Sequence, residues 1–202
     1  ATAVDAGGTL KGTGTLGDVT VNAGGIHAPG NSIGAQTVVG SYTVGIDGIL
    51  EIEADAAGNS DKVIVQGAVN LTGAVLRVLA ADGTYAPSTS YVIIDNDGAD
   101  AVTGTFADMT VDLAFLAPSV VTTGGDGNDV VLTLTRNATD MGDVAKTPNQ
   151  IAIANFINSL SPGDPLYDAL IALNEEGARQ AFDALSGEVH ASVLGVLLAD
   201  SR

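Results

Sequence analysis

The sequence predicts a mainly β fold followed by a short α-helical C-terminal segment, and three observations predict it. Short runs rich in Val, Ile and Thr recur up to Asn137, and branching at Cβ suits these residues to a pleated surface. Glycine makes up 26 of the 202 residues and falls between those runs, where it supplies turns that need positive φ. Beyond residue 138 the composition shifts to Leu, Ala and helix-start signals. Two segments follow, a β-rich 1–137 and a helical 138–202.

The strand candidates run in order along the first segment. They are Val19–Val21, Thr37–Val39, Tyr42–Val44, Ile49–Glu53, Lys62–Val65, Val69–Leu71 and Val75–Leu79, then Tyr91–Ile94, Phe106, Leu113–Leu116, Val120–Thr122 and Val130–Thr135. Turn residues separate them, as in Asn22-Ala23-Gly24-Gly25, Pro29-Gly30-Asn31, Asp47-Gly48, Gly58-Asn59 and Asp126-Gly127-Asn128. Leu50-Glu51-Ile52-Glu53 and Val131–Thr135 alternate with period two, so each should bury one face. Many short strands fit a sandwich or a solenoid of stacked coils. The solenoid is preferred because Gly-rich phrases recur loosely and the turns are not hairpin-specific. The spacing of the phrases is irregular.

The second segment reads as short amphipathic helices. Thr147-Pro148-Asn149-Gln150 combines a cap, a first-turn proline and a capping-box glutamine. Ile151, Ala154, Ile157 and Asn158 follow, with Ile153 and Phe156 widening the apolar face. Asp164-Pro165 opens a second helix with Leu166, Leu170 and Leu173 on one side. Asn174 caps a third carrying Ala178, Ala181, Phe182 and Leu185. Ser186 opens a fourth with Val189, Val193, Val196 and Leu197.

Composition narrows the function. Seven Lys and Arg against 24 Asp and Glu give a net charge of −17. That opposes nucleic-acid binding and docking on anionic lipid, both of which need clustered cations. There is no Cys, so no disulfide and no thiolate metal site is expected. No signal peptide starts at Ala1 and no apolar run is long enough to span a bilayer, so the chain reads as a fragment whose targeting signal lies elsewhere; the lack of Cys fits a cytosolic origin as well as export in an unfolded state.

Four motifs invite a chemical reading. Gly30-Asn31-Ser32-Ile33-Gly34 has the letters of a nucleophile elbow, but a strand pattern follows Ser32 where the elbow needs a helix. His27 and His190 are the only candidate bases. Gly124–Leu132 matches the Ca²⁺-binding β-roll nonapeptide with Asp126 and Asp129 as candidate ligands. A single copy carries too few oxygens for a calcium shell, so a tight turn is expected there. Asp95–Asp100 is an acidic loop without EF-hand spacing. Glu51 and Glu53 share the outward face of one strand, and aromatic platforms for sugar are scarce. No cofactor, no metal and no enzymatic activity are expected.

Six phrases carry a resemblance. They are Val-Thr-Val-Asn-Ala-Gly-Gly (19–25), Ala-Pro-Gly-Asn-Ser-Ile-Gly (28–34), Gly-Ser-Tyr-Thr-Val (40–44), Asn-Ser-Asp-Lys-Val-Ile-Val (59–65), Val-Thr-Gly-Thr-Phe (102–106) and Leu-Thr-Leu-Thr-Arg-Asn (132–137). In this order they resemble the C-terminal part of a bacterial autotransporter (type V secretion) passenger, including its autochaperone domain. Thr147–Gln150 and Ala184–Ala191 resemble the start of the helical linker before the translocator barrel.

The resemblance implies right-handed parallel β-helix rungs closed by a β cap in 1–137, and a linker toward an absent β-barrel in 138–202. It implies a non-catalytic folding nucleus that templates the passenger at the cell surface and assists its secretion across the outer membrane. The expected location is the bacterial surface or the medium, reached through the periplasm. Expected partners are the chain's own upstream passenger and the downstream barrel, with self-association through the helical tail as a further option. The alternative is an adhesin or virulence module that binds a host surface ligand. Leu50, Ile52, Val63, Val65, Leu76 and Val78 are expected inside the last rungs. Phe106, Leu113, Phe115, Val131, Leu132 and Leu134 are expected to build the cap.

Overall fold

The computed structural model describes residues 1–81, 83–97 and 100–187. It is mainly β, as the composition requires, and the strands fall into three sheets visited in rotation. β1 (Thr2–Val4), β2 (Thr9–Gly12) and β3 (Thr15–Leu16) enter the first, second and third sheets in turn. β4 (Val19–Val21), β5 (Ile26–Pro29) and β6 (Ala35–Val38) repeat the visit. So do β7 (Tyr42–Val44), β8 (Ile49–Ala54) and β9 (Lys62–Val65), and then β10 (Val69–Asn70), β11 (Ala74–Ala80) and β12 (Ser88–Asn96). Each of these strands pairs in parallel with its counterpart on the previous visit.

The pattern changes after β12. β13 (Phe106–Val111) adds a last parallel strand beside β11. β15 (Asp129–Arg136) pairs with β12 antiparallel, and β14 (Leu116–Gly124) lies beyond it as the edge of the third sheet. Leu113–Phe115, read from sequence as part of a strand, is irregular; β14 starts at Leu116.

One stacked turn explains the glycine phrases. Asp5-Ala6-Gly7-Gly8, Asn22-Ala23-Gly24-Gly25, Gly45-Ile46-Asp47-Gly48 and Leu71-Thr72-Gly73-Ala74 each close with a bond from the fourth N–H to the first C=O. The third residue has positive φ in every one, at 78°, 72°, 57° and 78°, the requirement of a type II turn. Gly7, Gly24 and Asp47 each donate an N–H to the C=O of the third residue in the next turn. A Cβ on Gly25 would lie 2.3 Å from the Val4 carbonyl oxygen, and one on Gly48 would lie 2.6 Å from that of Val21. The fourth position is therefore glycine where the neighbouring backbone comes closest.

The chain divides into two compact units. The first holds 1–112 and 117–135. The second holds 113–116 and 136 onward. Its helices are α1 (Met141–Val144), α2 (Pro148–Asn158), α3 (Pro165–Ile171) and α4 (Glu175–Ser186). Thr147, Asp164 and Asn174 cap α2, α3 and α4 at the expected positions, and Thr147 with Gln150 forms the capping box. The short α1 was not expected from sequence.

The buried face of α2 differs from the sequence expectation. Gln150, Ala154 and Ile157 are buried, while Ile151 and Phe156 are exposed. Gln150 turns inward because its Oε1 accepts from the N–H groups of Lys146 and Thr147 and its Nε2 donates to Asp183. α4 runs through Ser186 and stops at Gly187, whose φ of 75° makes a left-handed C-cap. The expected fourth helix beyond it, with His190, lies outside the described residues.

Candidate functional site

The parallel register stacks inward side chains into columns. In the second sheet Leu10, His27, Leu50 and Leu76 are in register, as are Ile52 and Val78. In the third, Gln36, Val63 and Ile94 form one column, and Leu16, Val38, Val65 and Asn96 form another. In the first, Val19, Tyr42 and Val69 align. Leu50, Ile52, Val63, Val65, Leu76 and Val78 are all fully buried in these columns. Phe106 is buried at the start of β13. Leu132 and Leu134 are buried opposite Tyr91 and Thr89. Val131 is half-exposed, because alternation along β15 turns it away from the side that buries Leu132. Leu113 and Phe115 belong to the second unit. Phe115 is fully buried there in a cluster with Met141, Ile157, Tyr167, Leu170 and Phe182.

The two ends of these columns differ. At one end lie β1, β2 and β3, each an edge strand of its sheet. Leu10 and Leu16 there are only half-buried. At the other end the edge of β10 is occupied: Leu71 N–H donates to Thr103 C=O, and Thr103 N–H donates to Val69 C=O. β13 covers β11, and β15 with β14 covers β12.

The consecutive strands β5, β6 and β7 carry a polar cluster that sequence reasoning missed. His27, Gln36 and Tyr42 stand on three different sheets and are 0%, 2% and 0% exposed. His27 Nε2 lies 2.7 Å from Gln36 Oε1, and its Nδ1 lies 2.7 Å from the Tyr42 hydroxyl. With Oε1 as acceptor, Nε2 carries the proton and Nδ1 accepts from the tyrosine O–H. Burial lowers the His27 pKa from its ordinary 6.5, against a smaller opposing effect of the Gln36 bond. Burial also raises the Tyr42 phenol. No signal in the sequence pointed to it, since the columns that these three residues interrupt are set by the register of the sheets.

Asp61 is a second buried polar group. Its carboxylate accepts from the N–H groups of Gly34 and Glu53, each at 2.9 Å. Burial pushes its carboxyl up to about 6. The two N–H bonds pull the other way, the charge of Glu53 raises it further, and Lys11 lowers it. Asp61 pins the Gly30–Gly34 loop. Gly30 has φ of 93°, and a Cβ there would lie 2.2 Å from Ser32 C=O and 2.8 Å from the Asp61 carboxylate.

Ser32 sits between β5 and β6, so strands flank it on both sides. It lines an open groove with Ile33, Glu53, Leu79, Ala80 and Ala81. His27 has both ring nitrogens engaged in the core and does not line that groove. Among the described residues no group of three His or acidic side chains is placed to hold a metal. Asp129 accepts from Asn96 N–H, and Asp126 is exposed at the turn after β14. Glu51 pairs with Arg77 across the sheet at 3.0 Å, and Asp95 with Lys62 at 3.2 Å.

No protein-family model matches the chain. The chain is similar to an extracellular serine protease of Serratia marcescens, with 27% identity over 171 residues. The match covers 82% of this chain and 16% of the relative.

Proposed function

We propose that this chain is the C-terminal folding nucleus of an autotransporter passenger, exported to the cell surface. In this reading the three sheets are the faces of one right-handed parallel β-helix. Its closed end is the autochaperone cap, and its open end templates upstream coils. The single observation that carries the reading is the asymmetry of the columns. β1, β2 and β3 leave three strand edges and half-buried Leu10 and Leu16 together at one end. The opposite edges are bridged by Thr103, β13 and the β15–β14 pair. A one-dimensional stack grows from an edge that offers both backbone partners and apolar surface. Beginning such a stack is costly, because loops close before contacts form. A preformed end removes that cost, and each added coil buries Val or Leu side chains worth roughly 1.5–3 kcal/mol each. Folding outside the cell then draws the chain outward.

Three further facts support a scaffold over a catalyst or an adhesin. Ser32 has strands on both sides. His27 is committed to Gln36 and Tyr42. Of the four Tyr and four Phe, every one except Phe156 is buried, which leaves no aromatic platform for a ligand. The similarity to an extracellular protein agrees with export.

The test is surface display of a passenger fused upstream of this chain in its full-length parent, scored by antibody on whole cells. Leu76→Asp, which places a charge in a fully buried column, should abolish display at normal synthesis levels. Undiminished display by a variant shown to be destabilised would overturn the proposal.

A further inference from the structure

The six edges of the three sheets are not equally protected. β1 has three residues and β3 two. β10 has two and is bridged by Thr103. β2 has four and carries Lys11, and β13 carries Asp108. Short length, charge, proline and cover are the usual devices that keep a sheet edge from pairing with another chain, and β14 has only the proline, at its start. β14 differs. It has nine residues, Leu-Ala-Pro-Ser-Val-Val-Thr-Thr-Gly, none of them charged. Among the described residues β15 is its single neighbour. Pro118, near its start, has no N–H to offer. From Ser119 to Gly124 every residue has one, and alternate ones point away from β15. Val121 is 55% exposed, one of the few large apolar side chains in that state among the described residues.

We infer that β14 is an association edge, and that its partner is β14 of a second copy of this chain. Two identical strands pair about a twofold axis only when antiparallel. With the axis at Val121, Val121 faces Val121, Val120 faces Thr122 and Ser119 faces Thr123. These are β-branched and hydroxyl pairs, the kinds that stabilise cross-strand contacts. Charge favours the same place. The molecule carries −17 overall, so two copies repel over most of their surface. From Leu113 to Gly125 there is no charged residue, and this stretch can meet its copy without bringing carboxylates together. One strand pair is smaller than a standard interface, so the dimer is weak, with a Kd in roughly the micromolar to millimolar range.

The chain has no cysteine, which makes the test clean. The full chain is examined by sedimentation from about 10 μM to about 1 mM, the range where a weak interface reports. Val121→Lys and Thr123→Glu are run alongside it, with circular dichroism to show that each folds. Val121→Cys is then oxidised beside Ala57→Cys, an exposed position in the turn between β8 and β9. The expected result is a concentration-dependent dimer, weakened at least tenfold by either charge. Val121→Cys should also cross-link at least tenfold faster than Ala57→Cys. A monomer throughout, with both cysteines oxidising at the same slow rate, overturns the inference. So does a dimer indifferent to both charges, which places the interface elsewhere. If a charged variant does not fold, wild-type sedimentation and the cysteine pair decide alone.

Discussion

At His27 the interior of the first unit exchanges apolar packing for two hydrogen bonds. Its column neighbours are Leu10 and Leu50, its partners Gln36 and Tyr42. Removing one member of such a cluster strands the others, and a buried unpaired group costs about 1–3 kcal/mol. His27→Leu should therefore destabilise the protein by about that much. Adding Gln36→Val and Tyr42→Phe should recover most of the loss, because no polar atom is then left unpaired. The pH dependence has a definite sign. Burial holds the folded-state pKa of His27 below 6.5, so the unfolded chain takes up the proton first as pH falls. The contribution of His27 is complete above 6.5 and is lost as pH drops toward the folded-state value. Asp61 acts in the opposite sense. Its carboxyl is raised from 3.8 to about 6, so the folded state is favoured as pH falls through that window. Urea unfolding at about pH 7.5 and about pH 5.5 separates the two. The difference between wild type and His27→Leu should shrink at the lower pH. An unchanged difference would mean that His27 does not titrate on unfolding.

The turns show the same economy at the scale of an element. Four of them stack, and their third residues are Gly7, Gly24, Asp47 and Gly73. Asp47 alone has a side chain at a φ of 57°, a region that costs an ordinary L-residue roughly 1–2 kcal/mol and Asp somewhat less. Asp47→Gly relieves that strain while gaining unfolded-state entropy. The net expectation is a stabilisation of about 0.5 kcal/mol, with Gly24→Ala losing about 1 kcal/mol or more, both read from thermal unfolding. Elements of this kind were legible where local chemistry decides them. The strands Tyr42–Val44 and Lys62–Val65 match β7 and β9, whose alternate residues are buried. The caps at Thr147, Asp164 and Asn174 are fixed by their own side chains. β1, β2 and β3 escaped notice because they are short and mostly unburied, so no apolar pattern marks them. β5 was hidden by Pro29 and His27, which suggest a turn. Pro29 in fact closes the strand, and His27 faces the core. The face of α2 was misread because apolar content pointed to Ile151 and Phe156, while the capping box and Asp183 draw Gln150 inward. The polar cluster could not be read at all. Its members come from three sheets, and only the stacking brings them together.

At the scale of the first unit, pairing and burial rise together along the columns. β8 and β11 are each paired on both sides, and Leu50, Ile52, Leu76 and Val78 beneath them have no exposed surface. β2 and β3 have one neighbour each, and Leu10 and Leu16 are half-buried. A strand paired on one side only is held by fewer neighbours and opens at a lower free energy than one paired on both. Amide exchange should therefore be fastest across β1–β3, and slowest in β8 and β11. Mutational cost should follow the same gradient. Leu76→Ala leaves a closed cavity and should cost about 2–5 kcal/mol. Leu10→Ala removes a half-exposed side chain and should cost about 1 kcal/mol or less. The two measurements test one gradient by independent routes. Exchange that is uniform from β1 to β11, with Leu10→Ala as costly as Leu76→Ala, would show the unit opening as one block. It would then have no end more ready than another to receive a new strand. Exchange graded toward β1–β3 would instead place the loosest backbone at the three edge strands that carry the two half-buried leucines, as the proposed templating of upstream strands requires.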